Sequence, residues 1–245
     1  MQFEVQNKRF AVVQRCRSCL LAWFGFQFDQ LLTERKHELL SNARGTVVEI
    51  GPGTGNNLRY LVSGVDWIGI EPNRFMHKHL LTALDRTGIR GRIVNGCAES
   101  IPVPTGSVDV VISTLVLCSV SDPAQSLAEI RRILKPEGYF VFIEHTAGQF
   151  GSWLLRLQRL VRPLWAIIGD GCCPDREIDV MIKCAGFKIT TCDMFTLKGA
   201  SFLTPYHIAG QAIKTAFTMK ENQTKEECVI LARETCEKDN CRGFA

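Results

Sequence analysis

The chain has 245 residues, enough for one α/β domain with a sizeable core, and its 46% hydrophobic and 22% charged residues are typical of a globular protein. The net charge of +4 is too small and too dispersed to favour a nucleic-acid partner. No secretory signal precedes the eleven cysteines, so we expect reduced thiols rather than a disulfide framework.

Residues 1–28 form a segment in which apolar and basic residues alternate irregularly. Their longest uncharged run, residues 18–28, has eleven residues, whereas a membrane-spanning helix needs ~20. Trp23 and Phe24 with nearby arginines suit the interfacial region of a membrane. We expect either a weak, reversible, peripheral membrane association or a helix that packs over the active site or the core.

The paired cysteines of this segment do not predict a metal site. Cys16 and Cys19 form a lone C-x-x-C motif, and a zinc site would need a second pair. The tail offers only Cys236 and Cys241 for that role, so no metal is predicted.

Residues 29–62 predict a helix, a strand and a second helix. Residues 29–44 carry leucines on one helical face, and Gly45 is a typical helix stop. Residues 46–50 predict a short buried strand that runs into a glycine-rich turn, and residues 54–62 predict the next helix.

The glycine-rich turn reads E-x-G-x-G-x-G from Glu49 to Gly55. A dinucleotide site requires G-x-G-x-x-G, but the third glycine position of that motif is Asn56, which disfavours an NAD dehydrogenase. The observed spacing resembles the first motif of class I S-adenosylmethionine-dependent methyltransferases. Glycines let the backbone approach a ligand closely, and an acid at the strand end suits a ligand with an ammonium and a sulfonium. An ordinary tight turn is the alternative.

A second short strand, residues 66–71, ends in the acid Glu71. This residue lies twenty positions after Gly51, the separation at which an acid meets a ribose diol in Rossmann-like folds. A carboxylate can accept hydrogen bonds from both hydroxyls. The alternative is a solvated strand end. Asn73 then predicts the start of a helix that runs to Thr87, with Gly88 as its stop.

The third strand, residues 92–95, leads into the segment from Gly96 to Pro102. Class I methyltransferases often carry G-D-A-E-x-L-P here, with the acid on the adenine amino group and the next backbone N–H on the ring. This chain has Cys97 in place of the acid, which leaves the backbone contact at Ala98. A surface loop is the alternative.

The remaining elements continue the alternation of strands and helices. We predict strands at 107–114, 138–145, 187–195 and 206–213 and a turn at 135–138. Asp122 should cap a helix with Pro123 at its first position, and further helices should cover 151–168 and 175–185, with Pro163 kinking or dividing the former. This order predicts an α/β fold: a Rossmann-like, doubly wound, mostly parallel seven-stranded sheet with helices on both faces. Residues 29–214 would form this domain, and residues 215–245 a charged tail.

Several stretches together resemble the methyltransferase-like alkyl thiol S-methyltransferases, a family found on the endoplasmic reticulum and lipid droplets. The resemblance covers residues 35–214 and rests on EIGPGTGNN, STLVLCSV, EIRRILKPEG, IEHTAGQFGSW, IGDGCCPDRE and PYHIAGQAIK. It implies the class I methyltransferase fold, the cofactor S-adenosylmethionine and a small apolar thiol as acceptor, on the cytosolic face of those membranes. The weak N-terminal anchor and the tail after Lys214 depart from the family pattern.

The site residues follow from these motifs and the resemblance. The expected cofactor-binding residues are Glu49, Gly51, Pro52, Gly53, Thr54, Gly55, Asn56, Asn57, Glu71, Pro72, Cys97, Ala98, Glu99, Thr114 and Leu115. His145 follows the fifth strand and is the candidate base, which would help a thiol with a pKa near ~8.5 to ionise. Asp170 would orient His145 or act in its place; a structural histidine is the alternative.

The remaining expectations concern three cysteines, the acceptor and the alternative functions. Cys118, Cys172 and Cys173 are expected to line the pocket, since methyl transfer needs no covalent protein intermediate. The acceptor would be a small molecule, with no nucleic acid and no protein partner inferred. The alternative functions are a methyltransferase for a lipid or quinone oxygen or nitrogen and a non-catalytic binding protein with this fold.

Overall fold

A computed structural model of the chain describes residues 29–169, 171–197 and 202–215. The N-terminal segment 1–28, Asp170 and the tail beyond Thr215 lie outside the described residues, and what was predicted for them stays a prediction. Within the described part of the chain, no helix has the length and apolar content to cross a membrane.

The described residues form one seven-stranded sheet. Its strands are β1 (Thr46–Ile50), β2 (Asp66–Ile70), β3 (Arg90–Val94), β4 (Val108–Thr114), β5 (Leu134–His145), β6 (Phe187–Thr196) and β7 (Tyr206–Lys214). The spatial order is β3-β2-β1-β4-β5-β7-β6, and β7 alone runs antiparallel to its neighbours. The prediction of a mostly parallel, seven-stranded, doubly wound sheet is confirmed.

Helices cover both faces of the sheet. They are α1 (Thr33–Leu40), α2 (Arg74–Thr87), α3 (Pro123–Ile133), α4 (Trp153–Ile168), α5 (Ile178–Cys184) and a 3-10 helix (Asn56–Tyr60). The predicted caps are confirmed: the Asn73 side chain accepts a hydrogen bond from Phe75 N, and the Asp122 side chain from Gln125 N. Gly88 ends α2 in the left-handed region.

The core consists of two apolar layers separated by the sheet. Successive strand residues point to opposite faces, so Val48 of β1 and Val111 of β4 join one layer, while Val47 and Val110 join the other. The first layer contains residues of α3 and α5, and the second contains residues of α1 and α2. Because both faces are covered, the central strands are nearly continuous apolar runs.

Three local predictions were wrong in detail. The segment 54–62 forms only the short 3-10 helix, because Gly53 and Gly55 have positive φ and a regular helix cannot begin before Asn56. Residues 135–138 belong to β5, where a register shift takes up the extra residues. Pro163 does not divide α4, which runs unbroken from Trp153 to Ile168, while a kink at this exposed proline stays a prediction.

Among the described residues, the expectation of reduced thiols is wrong at Cys184. Cys184 is disulfide-bonded, whereas Cys97, Cys118, Cys172, Cys173 and Cys192 are free. Cysteine pairing depends on distances in the folded chain, which spacing in the sequence does not reveal.

The sheet places the functional site at one edge. The order of the parallel strands reverses between β1 and β4, and the loops that follow their carboxyl ends diverge there. In open α/β sheets a ligand binds in the crevice at this switch point.

Candidate active site

A cavity of about 700 Å³ lies at the carboxyl ends of the parallel strands, and we call it the pocket. Its walls come from the loops after β1, β2, β3 and β4, from the end of β5 and from residues near the end of α4. Of the fifteen residues expected to bind the cofactor, fourteen line the pocket; the exception is Gly55.

The three glycines of the loop after β1 have different roles. All three have positive φ, at 57° for Gly51, 56° for Gly53 and 81° for Gly55. A Cβ on Gly53 would meet nothing within 4 Å, so this glycine faces the open pocket. A Cβ on Gly55 would come within 2.9 Å of the Ala83 Cβ on α2. Gly55 therefore lets the loop pack on α2 and, unlike the other two glycines, does not line the pocket.

Glu71 connects the ends of β1 and β2. Its side chain is buried, its Oε2 accepts a hydrogen bond from Gly53 N at 3.0 Å, and its Oε1 accepts one from Asn73 N at 2.8 Å. The carboxylate thus lies beside the glycine whose side is open to the pocket. This is the arrangement that the spacing between Gly51 and Glu71 predicted.

Glu49 is held below the loop by two donors. Its oxygens accept hydrogen bonds from Asn57 Nδ2 at 2.8 Å and from Trp67 Nε1 at 2.9 Å. Burial raises the pKa of Glu49, and these hydrogen bonds oppose that rise. Asn57 Nδ2 also donates to Thr114 Oγ1 at 3.0 Å, which joins the loop to the end of β4.

Two features of this wall fit a ligand with an ammonium group. Among the described residues, Asn57 Oδ1 is buried without a hydrogen-bond partner, and a buried acceptor of this kind calls for a donor. Gly53 leaves an open cradle beside it in the pocket lining. The residues present therefore fit the cofactor expected from the sequence.

A buried ion pair at the start of the described chain also lines the pocket. Lys36 Nζ lies 2.8 Å from Asp29 Oδ1, and Arg59 pairs with the other oxygen of Asp29. Burial lowers the pKa of Lys36 to about 8. No motif in the sequence pointed to these two residues. Their seven-residue spacing, two turns along one helical face, is the only local signal for the pair.

The segment after β3 lies on the side of the pocket expected to hold the adenine. Cys97, Ala98 and Glu99 all line the pocket, and their contact with the adenine stays a prediction. The Glu99 carboxylate accepts hydrogen bonds from Ser121 N at 2.8 Å and Asp122 N at 3.2 Å, so it is tied to the start of α3.

The turn after β4 is held by a buried acid that the sequence analysis missed. Glu144 Oε1 accepts hydrogen bonds from Ser113 Oγ at 2.5 Å and from the backbone N–H groups of Val116 and Leu117 at 3.1 Å each. Leu115, within this turn, has a φ of 57°, which is uncommon for a leucine. Burial raises the pKa of Glu144. The acid thereby holds Thr114 and Leu115 against the pocket.

Sulfur and nitrogen groups meet at the other end of the pocket. Cys118, His145 and Cys172 are brought together from three separate segments, and their Sγ, ring nitrogen and Sγ atoms all lie within 4.8 Å of one another. We call these three residues the sulfur cluster. His145 Nε2 lies 2.9 Å from Cys172 Sγ, and Trp165 Nε1 donates to the same sulfur at 3.3 Å.

The electrostatics of the two thiols differ. Pairing with Cys118 and hydrogen bonds from His145 and Trp165 lower the pKa of Cys172. Pairing with Cys172 and burial raise the pKa of Cys118. Of the three cysteines expected in the pocket, Cys173 is absent from its lining and bonds through its Sγ to Gly171 O. The hydrogen bonds from His145 and Trp165 reach Cys172, so they favour the thiolate form of Cys172 over that of Cys118.

The histidines at this end do not share one environment. His145 is 4% exposed and lines the pocket, as expected for the candidate base. Its ring lies edge-on to that of His207, with centroids 6.4 Å apart. Burial lowers the pKa of His207 to about 4, so this ring is neutral near pH 7. Asp170, the predicted partner of His145, lies outside the described residues.

The chain matches known proteins in sequence and in fold. A family described as a methyltransferase domain matches residues 48–142. The human thiol S-methyltransferase TMT1A is 32% identical over 205 residues, which cover 79% of this chain and 84% of that relative. The human thiol S-methyltransferase TMT1B is 37% identical over 160 residues, which cover 61% of this chain and 66% of that relative.

Solved structures share the fold at lower identity. The YcgJ protein from Bacillus subtilis has a TM-score of 0.60 at 18% identity and covers 77% of this chain and 99% of its own. A SAM-dependent methyltransferase from Thermotoga maritima has a TM-score of 0.52 at 20% identity and covers 80% of this chain and 98% of its own.

Proposed function

This chain belongs to the S-adenosylmethionine-dependent methyltransferase family that includes the thiol S-methyltransferases TMT1A and TMT1B, and from that premise we propose that its methyl acceptor is an alkyl thiol. One observation carries the proposal: a single pocket joins the cofactor loop to the sulfur cluster. The pocket lining includes apolar side chains such as Leu115, Val116 and Val120, which suit a small apolar acceptor.

The cofactor end of the pocket supplies binding and orientation. In this proposal Glu71 accepts the ribose hydroxyls, and the open side of Gly53 lets the ligand meet the backbone. Asn57 Oδ1, the buried acceptor, receives the ammonium group. When bound, S-adenosylmethionine supplies a methyl group on a sulfonium, which is already a good leaving group.

The remaining task of the chain is alignment. The acceptor sulfur, the methyl carbon and the leaving sulfur have to lie in line, and holding reactants in such a geometry can supply ~7–11 kcal/mol of the barrier. The acceptor would lie against the sulfur cluster, beside His145, the last residue of β5. His145 Nε2 already shares a hydrogen with Cys172, so the proton that leaves the acceptor thiol would enter this pair.

A screen of acceptors tests the proposal. Purified protein is incubated with S-adenosylmethionine and matched sets of alkyl thiols, phenols and amines, and S-adenosylhomocysteine is measured. Thiols are expected to give turnover. This turnover should depend on Glu71, so Glu71→Ala should be nearly inactive at limiting cofactor. Turnover with phenols or amines and none with thiols would refute the thiol assignment. Cofactor binding without turnover on any acceptor would favour a binding protein with this fold.

A further inference from the structure

The sulfur cluster has the composition of a metal site. Two thiols and one imidazole converge within 4.8 Å, and all three side chains line the pocket. They come from the turn after β4, from the last residue of β5 and from the segment after α4, so the fold itself brings them together. Ordinary core packing explains buried cysteines, but it does not explain two of them beside a histidine at the wall of a cavity.

The donor set matches one metal in particular. Two cysteine sulfurs and one histidine nitrogen with an open fourth position are the ligands of a catalytic zinc ion. Soft sulfur ligands disfavour Mg²⁺ and Ca²⁺, which prefer oxygen. Tetrahedral Zn–S and Zn–N bonds of about 2.3 and 2.0 Å place ligand atoms roughly 3.6–3.8 Å apart. His145 Nε2 and Cys172 Sγ lie 2.9 Å apart, and no two of the three ligand atoms are more than 4.8 Å apart.

We propose that Cys118, His145 and Cys172 bind a zinc ion whose fourth ligand is the acceptor thiol. The first part concerns metal binding alone; the second rests on the proposed function. The Sγ atoms bind as thiolates and release their protons to solvent, and His145 binds through Nε2 with its ring proton on Nδ1. The hydrogen bond between His145 and Cys172 is then replaced by two bonds to the metal.

Such a site would activate the acceptor directly. A thiol that binds Zn²⁺ releases its proton to solvent and becomes a thiolate at neutral pH, so no proton transfer to the His145–Cys172 pair is needed. The two cysteine thiolates neutralise the ion, and the acceptor thiolate brings the total charge to −1, opposite to the sulfonium. The acceptor sulfur forms a bond to the methyl carbon as the carbon–sulfonium bond breaks, giving a thioether and S-adenosylhomocysteine. The neutral thioether is a weaker ligand and can leave.

Metal content measured on the full chain tests the first part. Protein is reconstituted with Zn²⁺ under reducing conditions, dialysed, and analysed by mass spectrometry for metal. Cys118→Ser and Cys172→Ser should each lose about one equivalent of zinc relative to the parent. Cys173→Ser is the matched control, because Cys173 neighbours Cys172 in sequence but is not part of the cluster. The other cysteines are the same in every variant, so the difference isolates this site.

Cobalt substitution covers the case in which a variant fails to fold. Unaltered protein titrated with Co²⁺ should show a sulfur-to-metal charge-transfer band and the visible bands of a tetrahedral ion, and Cys173→Ser should show the same bands. Ethanethiol should shift these bands if it becomes the fourth ligand. Equal zinc in the ligand variants and the control, or a Co²⁺ spectrum without sulfur ligation, would overturn the metal site.

The two proposals fail in different ways. A protein that loses zinc in Cys172→Ser but methylates no thiol would refute the proposed function and leave the metal site standing. Undiminished thiol methylation by protein that mass spectrometry shows to be free of metal would overturn the role of the ion in acceptor activation. Loss of thiol methylation on demetallation, restored by Zn²⁺, would support both.

Discussion

Replacing Glu71 by alanine should weaken the binding of S-adenosylmethionine without unfolding the protein. The carboxylate is buried in the pocket lining beside Gly53, where we place the ribose diol. Leaving ligand hydroxyls without their acceptor costs on the order of 1–3 kcal/mol. That range corresponds to a Kd increase of about 5- to 150-fold.

The structure places the expected value toward the upper end of this range. Alanine also removes the acceptor for Gly53 N at 3.0 Å and for Asn73 N at 2.8 Å, so the glycine loop loses its connection to the end of β2. Glu71→Gln keeps one oxygen acceptor in the same shape and should therefore weaken binding less than alanine does.

Isothermal titration calorimetry measures the effect, and thermal unfolding shows whether each variant is folded. Asp66→Asn is a suitable control, because Asp66 lies at the other end of β2 and pairs with Arg90 on the surface. The control should bind like the parent. A folded Glu71→Ala variant with the parental Kd would show that the ribose does not lie at this residue.

The remaining predictions concern the loop, the turn after β4 and the N-terminal segment. Gly53→Val should remain folded but lose cofactor binding, because its side chain would enter the open pocket. Gly55→Ala should instead lower the free energy of unfolding by about 1–3 kcal/mol, because its Cβ would collide with α2. Equal effects of the two substitutions on binding and on stability would contradict these separate roles. Glu144→Ala should lower the free energy of unfolding by roughly 3 kcal/mol or more, because three donors lose their buried acceptor. Glu144→Gln keeps an oxygen acceptor and should lower it by under about 1 kcal/mol. Equal stabilities of the two variants in chemical denaturation would show that Glu144 does not hold the turn after β4. Residues 1–28 should give only peripheral membrane association, so high salt or carbonate should release the protein, and retention until detergent is added would show a true anchor.

The sequence predicted the parts of the fold that depend on local signals. Alternating strands and helices, the caps at Asn73 and Asp122, and the separation of Gly51 from Glu71 are all readable along the chain. The same motif did not show which glycine faces the ligand, because that depends on where α2 packs against Gly55.

The parts that were missed depend on contacts between distant segments. Nothing near Glu144 indicates that its carboxylate reaches back to the turn after β4. Cys118, His145 and Cys172 are each 27 positions from the next, so only the folded sheet reveals that they meet.

Transfer of an isotopically labelled methyl group shows directly whether the acceptor is a thiol. Purified protein is given S-adenosylmethionine with a trideuterated methyl group together with equal concentrations of a short alkyl thiol and the corresponding alcohol. The label should be recovered as the thioether, with one S-adenosylhomocysteine formed for each thioether. Label recovered only in the ether, or consumption of the cofactor with no labelled thioether, would contradict the thiol assignment.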